Sequence, residues 1–165
     1  MNNNKFDSIS ISGRYIYAYL CLLNAIKEQK LEPLPDELED LIHEFVSSNL
    51  LDVWHGKVEN ILPSFILDDD NHENKHLSLK IVIKIKGYYI RQPAFLVSII
   101  DDLFWLGISN LYSSYKSEIS FSYVIGIIET MNKEKISLPS FNKIENCSVE
   151  ERKGWGELTD MQKYI

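Results

Sequence analysis

The sequence is poor in the residues that build loops, cross-links and metal cages. Seven glycines in 165 residues leave little material for a phosphate-cradling loop, and neither that loop, nor a nucleophile elbow, nor a His-Cys arrangement occurs. The two cysteines, Cys21 and Cys147, are too far apart to match a metal or redox spacing. Cys21 lies in an apolar run, where a free thiol behaves as a small hydrophobe. Two reduced thiols point to the cytoplasm, and the polar start, Met-Asn-Asn-Asn-Lys, does not read as a secretory signal. Long hydrophobic runs are missing too. The most apolar stretch, residues 15–23, holds Tyr15, Tyr17 and Tyr19 and is about half the ~20 residues of a membrane helix; a buried core helix is the better reading. Basic residues are in deficit: 17 Lys and Arg against 24 Asp and Glu leave a net charge of −7. That balance argues against nucleic acid as a partner, because phosphate contacts need a basic face.

What is present is enough for one core. Hydrophobic residues make up 45% of the chain, and a chain of this size buries roughly 70% of its unfolded surface. The charge is uneven along the sequence. Residues 36–70 hold ten acids against one lysine, whereas residues 71–91 hold five basic residues against Glu73 alone.

Periodicity divides the chain into helices. Ser12-Gly13-Arg14 opens the first, with Ser12 as N-cap; its apolar residues cover nearly the whole circumference, so it is a central helix ending near Lys30. Pro35 starts a second helix, where Leu38, Leu41, Ile42, Phe45 and Val46 form one stripe. Asp36, Glu37, Glu39, Asp40 and Glu44 occupy its other positions, and the acids of the first turn suit the helix dipole. A third helix spans about residues 51–60, and Pro63 ends or kinks it. Asp68-Asp69-Asp70-Asn71-His72 reads as a surface loop. Residues 77–86 alternate like a strand and also fit a helical period. No second segment alternates as well, so context favours helix, with Gly87 closing it. Pro93 starts a nearly all-round apolar helix, and a last one covers about residues 117–132 with Phe121, Val124, Ile125, Ile128 and Met131 inward. The expected architecture is mainly α: a single-domain helical bundle of about six helices over residues 1–165. It leaves room for one short strand pair near residues 77–86, a flexible start over residues 1–8 and an irregular tail over residues 140–165.

Few residues suggest chemistry. His43-Glu44 lacks the second histidine of a metalloprotease helix, because position 47 is Ser. Asp68, Asp69, Asp70, His72 and His76 could gather a cation, but the offsets of a calcium loop are missing and a plain acidic loop is the simpler reading. No metal or other cofactor is expected. Asp101 and Asp102 interrupt an apolar helix and point about 100° apart, so one faces outward. A partly buried one needs a partner such as Arg14 or a tyrosine hydroxyl, and a structural ion pair is favoured over a general acid. Gly154-Trp155-Gly156 sits in a polar tail. Trp155 is read as a hook that folds back between helices, in preference to an exposed interface anchor.

Three short motifs together carry a family likeness: Gly13-Arg14-Tyr15 before an apolar helix, residues 106–112 (Leu-Gly-Ile-Ser-Asn-Leu-Tyr), and Ile136-Ser137-Leu138-Pro139 followed by Gly154-Trp155-Gly156. In this order the chain resembles small helical immunity proteins of bacterial polymorphic toxin and contact-dependent inhibition systems. The resemblance implies a cytoplasmic protein that binds a cognate toxin domain and blocks it, without catalysis or cofactor. It transfers no binding residues, and the strand-like residues 77–86 depart from an all-helical family. Many toxin domains are basic nucleases, and an acidic face can steer towards such a partner and mask it. The expected face comprises Asp36, Glu37, Glu39, Asp40 and Glu44 with Asp68, Asp69 and Asp70; Arg14, Asp101 and Trp155 are expected to be structural. Two other classes stay open, a helical adaptor or regulatory subunit without a toxin partner, and a small metal-dependent enzyme using Asp101 and His72.

Overall fold

The computed structural model describes residues 3–68, 75–112 and 117–165. It is a mainly helical single domain whose helices are α1 (Ile11–Glu28), α2 (Asp36–Ser47), α3 (Leu51–Val58), the single turn α4 (Pro63–Ile66), α5 (Leu79–Arg91), α6 (Ala94–Ile108) and α7 (Ser117–Lys133). Short 3-10 turns lie near both ends, at Asn3–Phe6, Phe141–Lys143, Glu151–Gly154 and Met161–Lys163.

The axis of the fold is α1, in which all of residues 13–22 are buried. A helix apolar all round has no face for solvent, so other elements must enclose it. α6 and α7 pack along it and against each other, and α2 covers another side. Tyr15 stacks on Phe45 of α2 with ring centroids 4.1 Å apart. The indole of Trp54 in α3 meets both rings and donates to the Leu41 carbonyl at 2.8 Å. Gly107 of α6 lies directly against Trp54 and Phe45, leaving no room for a larger side chain.

The ends of the chain close the ends of α1. The first N–H groups of a helix have no partner inside it, and here the partners come from the tail. Ser10, in extended conformation, is the N-cap, and its Oγ accepts from the Gly13 N–H at 3.2 Å. Ser12, expected to be the cap, is the second residue of the helix; its N–H and its hydroxyl both donate to the Trp155 carbonyl, at 3.0 and 2.6 Å. Ser10 N–H donates to the Cys147 carbonyl at 2.9 Å, and Val149 N–H to the Ser8 carbonyl at 2.9 Å. A Cβ on Gly13 would lie 2.6 Å from the Cβ of Cys147, so glycine is what allows the tail to approach. At the other end, Asn24 donates to the Ser137 carbonyl at 2.9 Å, and Glu28 accepts from the Ser137 N–H at 3.1 Å.

Residues 77–86 take the helical form that context favoured, and three other boundaries differ from the expectation. Residues 77–86 form no strand; the only bridge among the described residues joins Ile9 to Ser148. A lone strand would leave its backbone groups unpaired, whereas the helix pairs them internally and buries Val82, Ile85, Tyr88 and Tyr89. Gly87 does not close this helix, which runs on to Arg91. Pro63 begins a helical turn rather than merely ending one, and α3 gives way at Val58 to a 3-10 turn, Glu59–Ile61. The start is not loose as far as residue 8. Phe6 is buried, its ring packs edge-on against Tyr17 and Phe141, and its carbonyl accepts from Arg14.

Two glycines should respond oppositely to alanine. Gly156 has φ +85°, and a Cβ there would meet Ser10 Oγ at 2.5 Å; Gly156→Ala should destabilise by about 2–3 kcal/mol and lower the melting temperature by about 5–10 °C. Gly87 sits within α5 with only the flexible end of Arg91 nearby, at 3.4 Å, so Gly87→Ala should stabilise by about 0.5–1 kcal/mol. Thermal denaturation of both variants measures this, and equal responses would contradict the placement of the tail hook.

Candidate functional site

The acids of α2 do not act as one free face. Glu37 is bonded to Lys84 of α5, whose ammonium holds its carboxyl below the ordinary range. Glu44 pairs with Lys57 of α3 at 2.6 Å. Glu39 accepts from the Tyr19 hydroxyl at 2.5 Å, and the same hydroxyl lies 3.1 Å from His43 Nε2. That polar cluster ties α2 to α1, and burial first, then the bond to Glu39, pushes the Tyr19 phenol far up. The His43-Glu44 pair is therefore divided between two different contacts. Asp36 and Asp40, four residues apart on the outer stripe, are exposed. Asp68 is exposed in the turn after α4; Asp69 and Asp70 lie outside the described residues.

The helix that meets Glu37 carries a second surface feature. Leu79, Ile83 and Ile90 are 58, 55 and 66% exposed, and their spacing places them on one side of α5. Two basic residues of this helix pair with acids elsewhere in the chain. Lys84 meets Glu37, and Arg91 grips Glu32 through Nε at 3.1 Å and Nη2 at 2.9 Å. Exposed ion pairs of this kind contribute under about 1 kcal/mol each, so they orient α5 more than they hold it. The result is an exposed apolar stripe on a helix that the Glu37–Lys84 pair joins to α2. At 100° per residue Leu79, Ile83 and Ile90 fall within about 40° of one another and roughly 100° round the helix from Val82, Ile85 and Tyr89, so the helical reading of this segment already contained the stripe.

The three residues expected to be structural have defined contacts. Arg14 is fully buried, donates to Ser120 Oγ and to the Phe6 carbonyl, both at 2.8 Å, and lies over the Phe121 ring. Asp101 does not take Arg14 as its partner; its Oδ1 accepts the Ser64 N–H at 2.9 Å and caps α4. Asp102 faces α7 at Gly126, close to Oδ2 at 3.2 Å from where a Cβ would stand. Trp155 packs against the core while its carbonyl holds Ser12. Of the residues that carry the family likeness, Gly13 and Tyr15 pack at the start of α1, Gly107 packs beside Trp54, and Trp155 and Gly156 lie against Ser12 and Ser10, whereas Tyr112 is 73% exposed.

Among the described residues no three His, Cys, Asp or Glu side chains gather in a way that could hold a metal ion. His76 packs against Gly56, and His72 lies outside the described residues. Burial raises the thiols of both Cys21 and Cys147, so neither is an activated nucleophile. No helix among the described residues is long and apolar enough to cross a membrane. Compared with protein families, with curated proteins and with solved structures, the chain matches none.

Asp102 gives this region a pH signature. Desolvation first, and then the neighbouring Asp101 charge, lift its carboxyl to about 6. A raised carboxyl favours folding while it is protonated. Its contribution is full below the ordinary value of about 4 and is lost as pH rises through about 6. Asp102→Asn should therefore flatten the fall in melting temperature between about pH 4 and 6 and stabilise the protein at pH 7 by about 1 kcal/mol, allowing for screening of a half-exposed group. Melting curves across that range test it; an unchanged slope would place the titration elsewhere.

Proposed function

We propose that this chain is a cytoplasmic immunity protein that captures a cognate toxin domain through the surface shared by α2 and α5, and blocks it by binding alone. The observation that supports this surface is the exposed stripe of Leu79, Ile83 and Ile90 on α5, a helix that Lys84 ties to Glu37 of α2, where Asp36 and Asp40 are also exposed. Monomeric proteins seldom leave large side chains aligned on one helix face in water. Protein interfaces combine an apolar centre with a polar rim, and unpaired acids at such a rim favour a basic partner, such as a nuclease domain. The acidic contribution is narrower than the sequence alone implies, because Glu37, Glu39 and Glu44 are occupied within the chain.

The test is bacterial growth with the neighbouring upstream open reading frame expressed alone or together with this gene. Growth arrest relieved only by this protein is the expected result. Absence of toxicity or of rescue would move the reading to a helical adaptor or regulatory subunit. With the toxin in hand, Ile83→Glu should abolish rescue. The double reversal Asp36→Lys with Asp40→Lys should slow association about tenfold at low salt, a difference that shrinks as salt rises. Full rescue and unchanged kinetics in both variants would place the interface elsewhere.

A further inference from the structure

The C-terminal segment makes a turn that L-amino acids rarely make. Arg152 (φ 42°, ψ 44°) and Lys153 (φ 57°, ψ 40°) are both left-handed, and Gly154 follows at φ 96°. Residues with a Cβ visit this region singly, because the Cβ crowds the following carbonyl; glycine at both positions would relieve that strain. The hook through Trp155 needs the turn, yet it does not need side chains at 152 and 153.

What the turn delivers is a guanidinium at the rim of an apolar cleft. The cleft, of about 210 Å³, is walled by Phe45, Leu51, Trp155 and Leu158. Among the described residues Arg152 is the only charged one lining it. Its hydrogen bond goes to a neutral group, from Nη2 to Asn49 Oδ1 at 3.0 Å. Glu151 does not neutralise it: that side chain lines the neighbouring cleft, and its Oε2 accepts the Glu157 N–H at 3.4 Å. Leu158, 39% exposed, carries the apolar lining out to the surface.

We infer that this cleft is a peptide-binding site for a partner segment that carries an apolar side chain next to a carboxylate. The apolar side chain occupies the space between Trp155, Phe45 and Leu51, which suits one residue of leucine or phenylalanine size. The carboxylate takes the open edge of the Arg152 guanidinium, whose fork matches two oxygens. The site is separate from the α2–α5 surface and does not depend on the toxin reading. It explains why arginine stands where glycine would be less strained.

The probe is the peptide acetyl-Asp-Leu-Phe-Asp-amide, with acetyl-Lys-Leu-Phe-Lys-amide as its charge-reversed counterpart, each titrated into the nitrogen-15-labelled full chain. The acidic peptide should shift the Trp155 indole and the Leu51 and Leu158 amide signals saturably in the millimolar range, and the basic peptide should not. Arg152→Gln should weaken the acidic peptide about fivefold while leaving the free protein's Trp155 signal in place. Arg152→Gly should melt no lower than the parent and still bind about fivefold more weakly, a separation that a purely structural arginine would not produce. No saturable shift, equal shifts from both peptides, or unchanged binding in the two variants would overturn the inference.

Discussion

The Trp155 carbonyl accepts both the backbone N–H and the hydroxyl of Ser12, and this pair of bonds closes the end of a helix whose whole circumference is buried. An exposed helix can leave its first N–H groups to water. α1 has no such outlet, because the tail lies over its N-terminus and α2, α6 and α7 enclose its sides. Every orphan group must then find a protein partner. The left-handed residues of the tail, the extended Ser10 and the glycine at position 13 all answer that requirement. The buried Arg14 belongs to the same arrangement, since it ties the Phe6 carbonyl to Ser120 of α7 beside the capped turn.

The uneven distribution of charge along the chain is resolved inside the molecule. The acid-rich part meets the lysine-rich part through Glu37 and Lys84, and Glu32 meets Arg91. The weakness of each exposed pair means that burial of Val82, Ile85, Tyr88 and Tyr89 holds α5 in place, while the pairs set which way it faces. Facing as it does, α5 turns Leu79, Ile83 and Ile90 to solvent. Charges that looked available for a partner are spent on orientation, and apolar side chains that looked like core become surface.

Two surfaces of different chemistry result. α5 carries an apolar stripe and α2 two exposed acids, and the cleft beside Trp155 sets apolar walls beside one guanidinium. The first lies on α2 and α5, and the second forms where the C-terminal segment folds back against Phe45 of α2 and Leu51 of α3. The Asp101–Asp102 pair serves neither. Asp101 caps α4, and Asp102 bears the desolvation of lying against α7.

The sequence by itself determined α1, α2, α6 and α7, because an apolar stripe at helical spacing is a local property that any core will use. Proline before α2 and α6 marked their starts for an equally local reason, its fixed φ and missing donor. The tertiary structure alone decided the rest. Residues 77–86 satisfy two periods at once, and only the absence of a partner strand and the presence of a surface to bury Val82 and Ile85 selects the helix. Ser10 rather than Ser12 caps α1 because Trp155, distant in sequence, supplies the competing acceptor. Glu37, Glu39 and Glu44 look like Asp36 and Asp40 in the sequence. Their difference lies in whether Lys84, Tyr19 or Lys57 stands across from them, and such pairings form between segments that only packing brings within hydrogen-bonding distance.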